Sequence, residues 1–199
     1  MDRIKLAAHE IIEGVRDALA SLDPQEVESF ISLLGEARTK GFKVLVVGAG
    51  RSGFVARAFA MRLMHLGLNV YVVGETITPS IEKGDILIAI SGSGTTSMVL
   101  AAAEAAKALG ARVVAVTSYP DSPLGKLADL VVTVKGRTKV SARRDYLQRQ
   151  IMGVHEPLAP LGTLFEISAL IFLDSLIVEL MHRFGVTERE MARRHAKIE

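Results

Sequence analysis

Apolar positions recur at helical spacing over residues 4–21 and again over 24–38, where Asp23-Pro24 reads as an N-cap followed by a proline at the first helical position. The period then changes. Lys43-Val44-Leu45-Val46-Val47 is a nearly continuous apolar run ending in Gly48, the pattern of a strand buried on both faces. A helical stretch follows to Leu66 and is closed by Gly67. The strand pattern returns at Val70–Val73, Ile86–Ile90, Val113–Thr117 and Leu130–Val134, with helical segments between some of them, most clearly the alanine-rich 96–108. Strands alternating with helices predict parallel βαβ units. The fold class expected is therefore α/β: a doubly wound, five-stranded parallel sheet flanked by helices, with helical N-terminal and C-terminal extensions.

Residues 136–161 interrupt this rhythm. They contain Gly136, Gly153, Pro157, Pro160 and four arginines (Arg137, Arg143, Arg144, Arg149), and read as a surface excursion with one short helix at 141–150. A long helix at 163–183 and a short one at 187–196 end the chain. No solenoid-type repeat and no second domain is visible, so residues 1–199 are expected to form one domain.

Composition narrows the chemistry. The chain has 199 residues, 49% hydrophobic and 23% charged, with a formal net charge of +2, which gives no electrostatic case for nucleic acid. There is no cysteine, which excludes disulfides, a thiolate nucleophile and a thiolate zinc site. Acids at Asp2, Glu10 and Glu13 argue against a signal peptide. The most apolar stretch, Leu164 to Met181, carries Glu166, Asp174 and Glu179, too many acids for a bilayer. A cytoplasmic protein without a membrane partner is the expectation.

Two loops carry the candidate chemistry. Gly48-Ala49-Gly50-Arg51-Ser52-Gly53 follows a strand and opens a helix, matching G-x-G-x-x-G. Glycines admit a close backbone approach, and helix N-terminal N–H groups favour an anion. Glu75, at the end of the next strand, stands where a ribose-binding acid is sought, so a dinucleotide is open at this loop. The second loop, Ser91-Gly92-Ser93-Gly94-Thr95-Thr96, alternates hydroxyls with glycines between a strand and a helix. Hydroxyls, loop N–H groups and a helix N-terminus together suit one phosphate monoester. In a sheet of order 2-1-3-4-5 the two loops flank the switch point, where ligands bind. A dinucleotide fold does not require hydroxyls there, and the pair favours a small phosphate.

At these loops the sequence resembles the SIS (sugar isomerase) domain family. The likeness sharpens at Phe59-Ala60-Met61-Arg62-Leu63-Met64-His65-Leu66-Gly67, at Gly74-Glu75-Thr76-Ile77-Thr78-Pro79, at Pro160-Leu161-Gly162-Thr163-Leu164-Phe165-Glu166 and at Arg193-Arg194-His195. These segments resemble the 6-phospho-3-hexuloisomerases of archaea and methylotrophs. The resemblance implies reversible conversion of D-arabino-3-hexulose 6-phosphate to D-fructose 6-phosphate in the ribulose monophosphate pathway. It also implies a sugar-phosphate substrate, a homotetramer with shared active sites, and neither metal nor organic cofactor.

By the same resemblance Ser52, Ser91, Ser93 and Thr96 are phosphate ligands, with Gly50, Gly92 and Thr95 in the same loops. Glu166 is the candidate base; as a helix-start acid it also complements the helix dipole. His65 and His195 are candidate acids or sugar binders. His65 lies thirteen residues beyond Ser52, about 20 Å along the helix at ~1.5 Å per residue, so it reaches the crevice only from a neighbouring subunit. A helix C-terminal histidine before Gly67 is the plainer alternative. Arg51 is a candidate for sugar or phosphate, and Glu75 for a sugar hydroxyl. Other readings are an isomerase of arabinose 5-phosphate or sedoheptulose 7-phosphate, a non-catalytic sugar-phosphate sensor, and a dinucleotide enzyme.

Overall fold

The computed structural model describes residues 1–136 and 158–195. The short helix expected at 141–150 and the arginines at 137, 143, 144 and 149 lie outside the described residues. Two helices open the chain, α1 (Asp2–Ala20) and α2 (Pro24–Lys40). The Asp23 side chain accepts from Gln25 N at 2.7 Å with Pro24 at the first helical position, and Gly41 ends α2 in the left-handed region. Then come β1 (Lys43–Gly48), α3 (Arg51–His65), β2 (Asn69–Val72), β3 (Ile86–Ile90), α4 (Ser97–Ala108), β4 (Arg112–Thr117), α5 (Pro123–Leu127) and β5 (Leu130–Thr133). The long α6 (Thr163–Phe184) and the short α7 (Glu188–Arg194) follow.

The five strands are all parallel, in the order β2-β1-β3-β4-β5. This is the doubly wound sheet expected from the alternation of patterns. Every residue of β3 is buried, which explains its unbroken apolar run. Side-chain alternation divides the core in two. Val44, Val46, Ile88 and Val114 face Phe30, Phe59, Phe165 and Leu173, on the side of α2, α3 and α6. Leu45, Val47, Leu87 and Ala115 face Val99, Ala103 and Leu124, on the side of α4 and α5.

Polar groups mark the two ends of the sheet differently. Buried Asp85 accepts from the backbone of Lys43 and Glu82, and Asp129 accepts from Val113 N, so carboxylates close the strand N-terminal edge. Hydroxyls gather at the C-terminal edge: Ser91 after β3, and Thr117 and Ser118 at the end of β4. Among the described residues no helix is long and apolar enough to cross a membrane.

Candidate functional site

β1 and β3 are neighbours, and the chain leaves them in opposite directions, to α3 on one face and α4 on the other. The crevice between their C-terminal ends is the switch point. A cleft of about 350 Å³ opens there. Ser52, Ser91, Gly92, Ser93, Thr95 and Thr96 line one side of it, and Leu161, Gly162, Phe165 and Glu166 the other.

The first loop is tight. A Cβ on Gly48 would lie 2.5 Å from Ser52 O, so only glycine lets the helix start this close to the strand end. Gly50 has φ +57 and its carbonyl accepts from Gly53 N at 3.0 Å. In the second loop buried Ser91 pairs its Oγ with Thr96 Oγ1 at 3.2 Å, and Ser93 Oγ accepts from Thr95 N at 3.3 Å and Thr95 Oγ1 at 3.0 Å. Neither Gly50 nor Thr96 caps its helix with a side chain, and the starts of α3 and α4 both adjoin the loops that line the cleft. Among the described residues the cleft lining contains no lysine or arginine, and its one charged residue is Glu166. The described groups that face an anion here are hydroxyls and loop amides at two helix starts.

Glu166 sits in the first turn of α6, largely buried, with Gly162 at the N-cap. Its carboxylate is ion-paired to Arg51 Nε. Arg51 does not line the cleft; together with Phe54 and Leu170 it lines an adjoining apolar groove, and Glu166 faces both spaces. Of the residues singled out from sequence, Ser52, Ser91, Gly92, Ser93, Thr95, Thr96 and Glu166 thus meet in one cleft, with Arg51 at its border and Gly50 shaping the loop. Leu161, Gly162 and Phe165, to which the sequence assigns no ligand role, form the wall beside Glu166.

The other candidates lie elsewhere in the chain. Glu75 is exposed and paired with Arg57 at 3.0–3.1 Å, holding the turn after β2 to α3. His65, buried at the end of α3, and His195, after α7, have ring centroids 5.0 Å apart. Both line a separate cavity of about 600 Å³ with Arg62, Asp174 and Glu188. Arg194 Nη1 donates to His65 O at 2.8 Å and ties α7 to that helix end. The two histidines therefore stand together, about 20 Å along α3 from the cleft of their own chain.

With this geometry known, likeness to other proteins becomes informative. The SIS domain model matches residues 38–166, from the end of α2 through both loops to Glu166. The chain belongs to the SIS domain family. It is 36% identical to the 3-hexulose-6-phosphate isomerase of Bacillus subtilis, over 96% of either chain. It is 41% identical to the 3-hexulose-6-phosphate isomerase of Mycobacterium gastri, over 94% of this chain and 87% of that one. Among solved structures, a Methanococcus jannaschii protein superposes over the full length of both chains with a TM-score of 0.75 and 35% identity; its structure was taken to infer a 3-hexulose-6-phosphate isomerase function.

Proposed function

We propose that this SIS-family isomerase interconverts D-arabino-3-hexulose 6-phosphate and D-fructose 6-phosphate through a cis-enediol. The observation that carries the reading is the meeting, in one cleft, of a hydroxyl-lined pair of loops and the Glu166 carboxylate. Full-length similarity to proteins named for this reaction supports the choice of substrate.

The reaction moves a carbonyl from C3 to C2. A base takes the proton from C2, the electrons shift into the C2–C3 bond, and the C3 oxygen is protonated. The enediol then loses its O2 proton as C3 gains one, so atoms and electrons balance within one molecule. Glu166 takes and returns the carbon-bound proton. Ser52, Ser91, Ser93 and Thr96 hold the phosphate, with Thr95 and the amides of Gly50 and Gly92 beside them. That remote binding aligns C2 and C3 with the carboxylate. Arg51, at the cleft's border, pairs with the Glu166 carboxylate and aims it. His65 and His195 serve the oxygens, reaching the cleft from a neighbouring subunit of a homotetramer. Glu75, paired with Arg57 of α3, belongs with them as a sugar contact in the assembled enzyme.

The test is a coupled assay in which enzymatically made D-arabino-3-hexulose 6-phosphate is supplied and fructose 6-phosphate is detected, with Glu166→Gln beside the wild type. Turnover that falls at least a thousandfold in the variant while inorganic phosphate still binds supports the isomerase and its base. A wild-type chain that binds several sugar phosphates without turning this one over would replace the reading with another SIS isomerase or a sensor.

A further inference from the structure

Two features of α1 have no part in the chemistry above, yet both point at the start of α6. The Glu10 carboxylate accepts from two successive backbone amides, Leu158 N on Oε2 at 3.1 Å and Ala159 N on Oε1 at 3.3 Å. One helical turn later Gly14 lies against Leu164. A Cβ at position 14 would sit 2.8 Å from Leu164 Cδ1, so a larger residue there must displace the Leu164 side chain from its place against α1. Glu10 and Gly14 are four residues apart and share one face of α1.

Between these two contacts runs the turn that forms the cleft's second wall. Thr163 N donates to Pro160 O at 3.2 Å and Glu166 N to Gly162 O at 3.0 Å, so the turn and the first turn of α6 are one hydrogen-bonded unit. Gly162 has φ +91, and a Cβ there would lie 3.2 Å from Glu166 Oε1, which shows how closely the turn is fitted to the carboxylate. A shift of residues 158–162 therefore moves the wall and the carboxylate together. The cradle is carried by other elements, the starts of α3 and α4, which Glu10 does not touch.

We propose that Glu10 is a positioning residue for the isomerase reaction: with Gly14 it docks α1 onto residues 158–164 and so sets the distance between the Glu166 carboxylate and the phosphate cradle. The inference rests on Glu166 being the base. A carboxylate spanning two amides makes charge-assisted bonds of fixed geometry. Glutamine at position 10 keeps one acceptor and turns a second donor toward an amide. A misplacement of about 1 Å between base and substrate costs on the order of a hundredfold in rate, whereas phosphate affinity, set by the cradle, is unaffected.

The experiment compares wild type, Glu10→Gln and Glu166→Gln for kcat, KM, inorganic phosphate affinity and amide exchange. Glu10→Gln is expected to lower kcat by roughly ten- to a hundredfold, to leave KM and phosphate affinity near wild type, and to speed exchange at residues 158–162 alone. As a second route, Gly14→Val lowers kcat in the same way and adding Leu164→Ala restores part of it. Faster exchange with a wild-type kcat, or kcat and phosphate affinity falling together, overturns the positioning role. So does a Gly14→Val loss that Leu164→Ala fails to relieve. If Glu166→Gln is inactive and Glu10→Gln fully active, this inference alone fails; if Glu166→Gln turns over normally, the base assignment fails and takes this inference with it.

Discussion

The cradle depends on single atoms. Gly94 has φ +62, and a Cβ there would lie 1.9 Å from Ser122 Oγ, the hydroxyl that accepts from Gly125 N at 3.2 Å to cap α5. Gly94→Ala is expected to strain the backbone by about 1–2 kcal/mol and to force the loop off the β4–α5 turn. Calorimetry should register a lower melting temperature, and phosphate binding should weaken with it. An unchanged melting temperature would show that the loop has room the geometry denies. Ser91→Ala tests chemistry rather than shape. Ser91 is buried beside Thr96, and a hydrogen bond to a charged group contributes about 1.5–3 kcal/mol. Phosphate affinity should fall at least tenfold while the melting temperature stays near wild type. The hydroxyls and glycines of both loops were legible in the sequence because their chemistry is local. The Arg51–Glu166 pair was not, since 115 residues separate its members and nothing in either segment names the other.

At the level of elements, boundaries followed from local signals where a cap or a period stood in the sequence, as at Asp23-Pro24 and the β3 run. α5 went unforeseen because five residues show no period; it is fixed by the Ser122 cap and by Leu124 N donating to Gly94 O at 3.1 Å. α7, with seven residues, is held by a capping box. Glu190 Oε2 accepts from Thr187 N at 2.7 Å, and Thr187 Oγ1 accepts from Glu190 N at 3.3 Å. The backbone hydrogen bond from Thr187, followed by its hydroxyl, holds the Glu190 carboxyl below its ordinary value of 4.5. A depressed folded-state pKa gives stabilisation that is present above the ordinary value and lost as pH falls through the lower, folded one. Amide exchange in α7 should therefore quicken as pH is lowered past about 4.5, after correction for the intrinsic pH dependence. Glu190→Gln should show fast exchange throughout with no such step. A step that persists in the variant would assign it to another group. Because Arg194 and His195 close on His65, loosening α7 also disturbs the histidine pair.

The whole molecule poses the question that no single chain answers, because its cradle and its histidines lie at opposite ends of α3. Between them α3 and α6 expose Phe54, Met61, Ile171 and Val178, an apolar strip continuous with the groove beside Arg51. A second copy seated on that strip would cover it and carry its own His65 toward the first copy's Glu166. The consequence can be measured by complementation. Glu166→Gln and His65→Asn homomers are each expected to be inactive. When they are unfolded, mixed in equal amounts and refolded, half of the pairings are mixed, and each mixed pair has one site with Glu166 from one chain and His65 from the other. Activity should recover to about a quarter of wild type. Refolding either variant alone controls for reversion and should give none. Phe54→Glu, placed in the strip but outside the cleft lining, should lower both the assembly size in light scattering and the turnover. Mixed refolding without recovery, from chains that demonstrably co-assemble, would confine the chemistry to one subunit. The histidine pair would then be a structural clasp between α3 and α7.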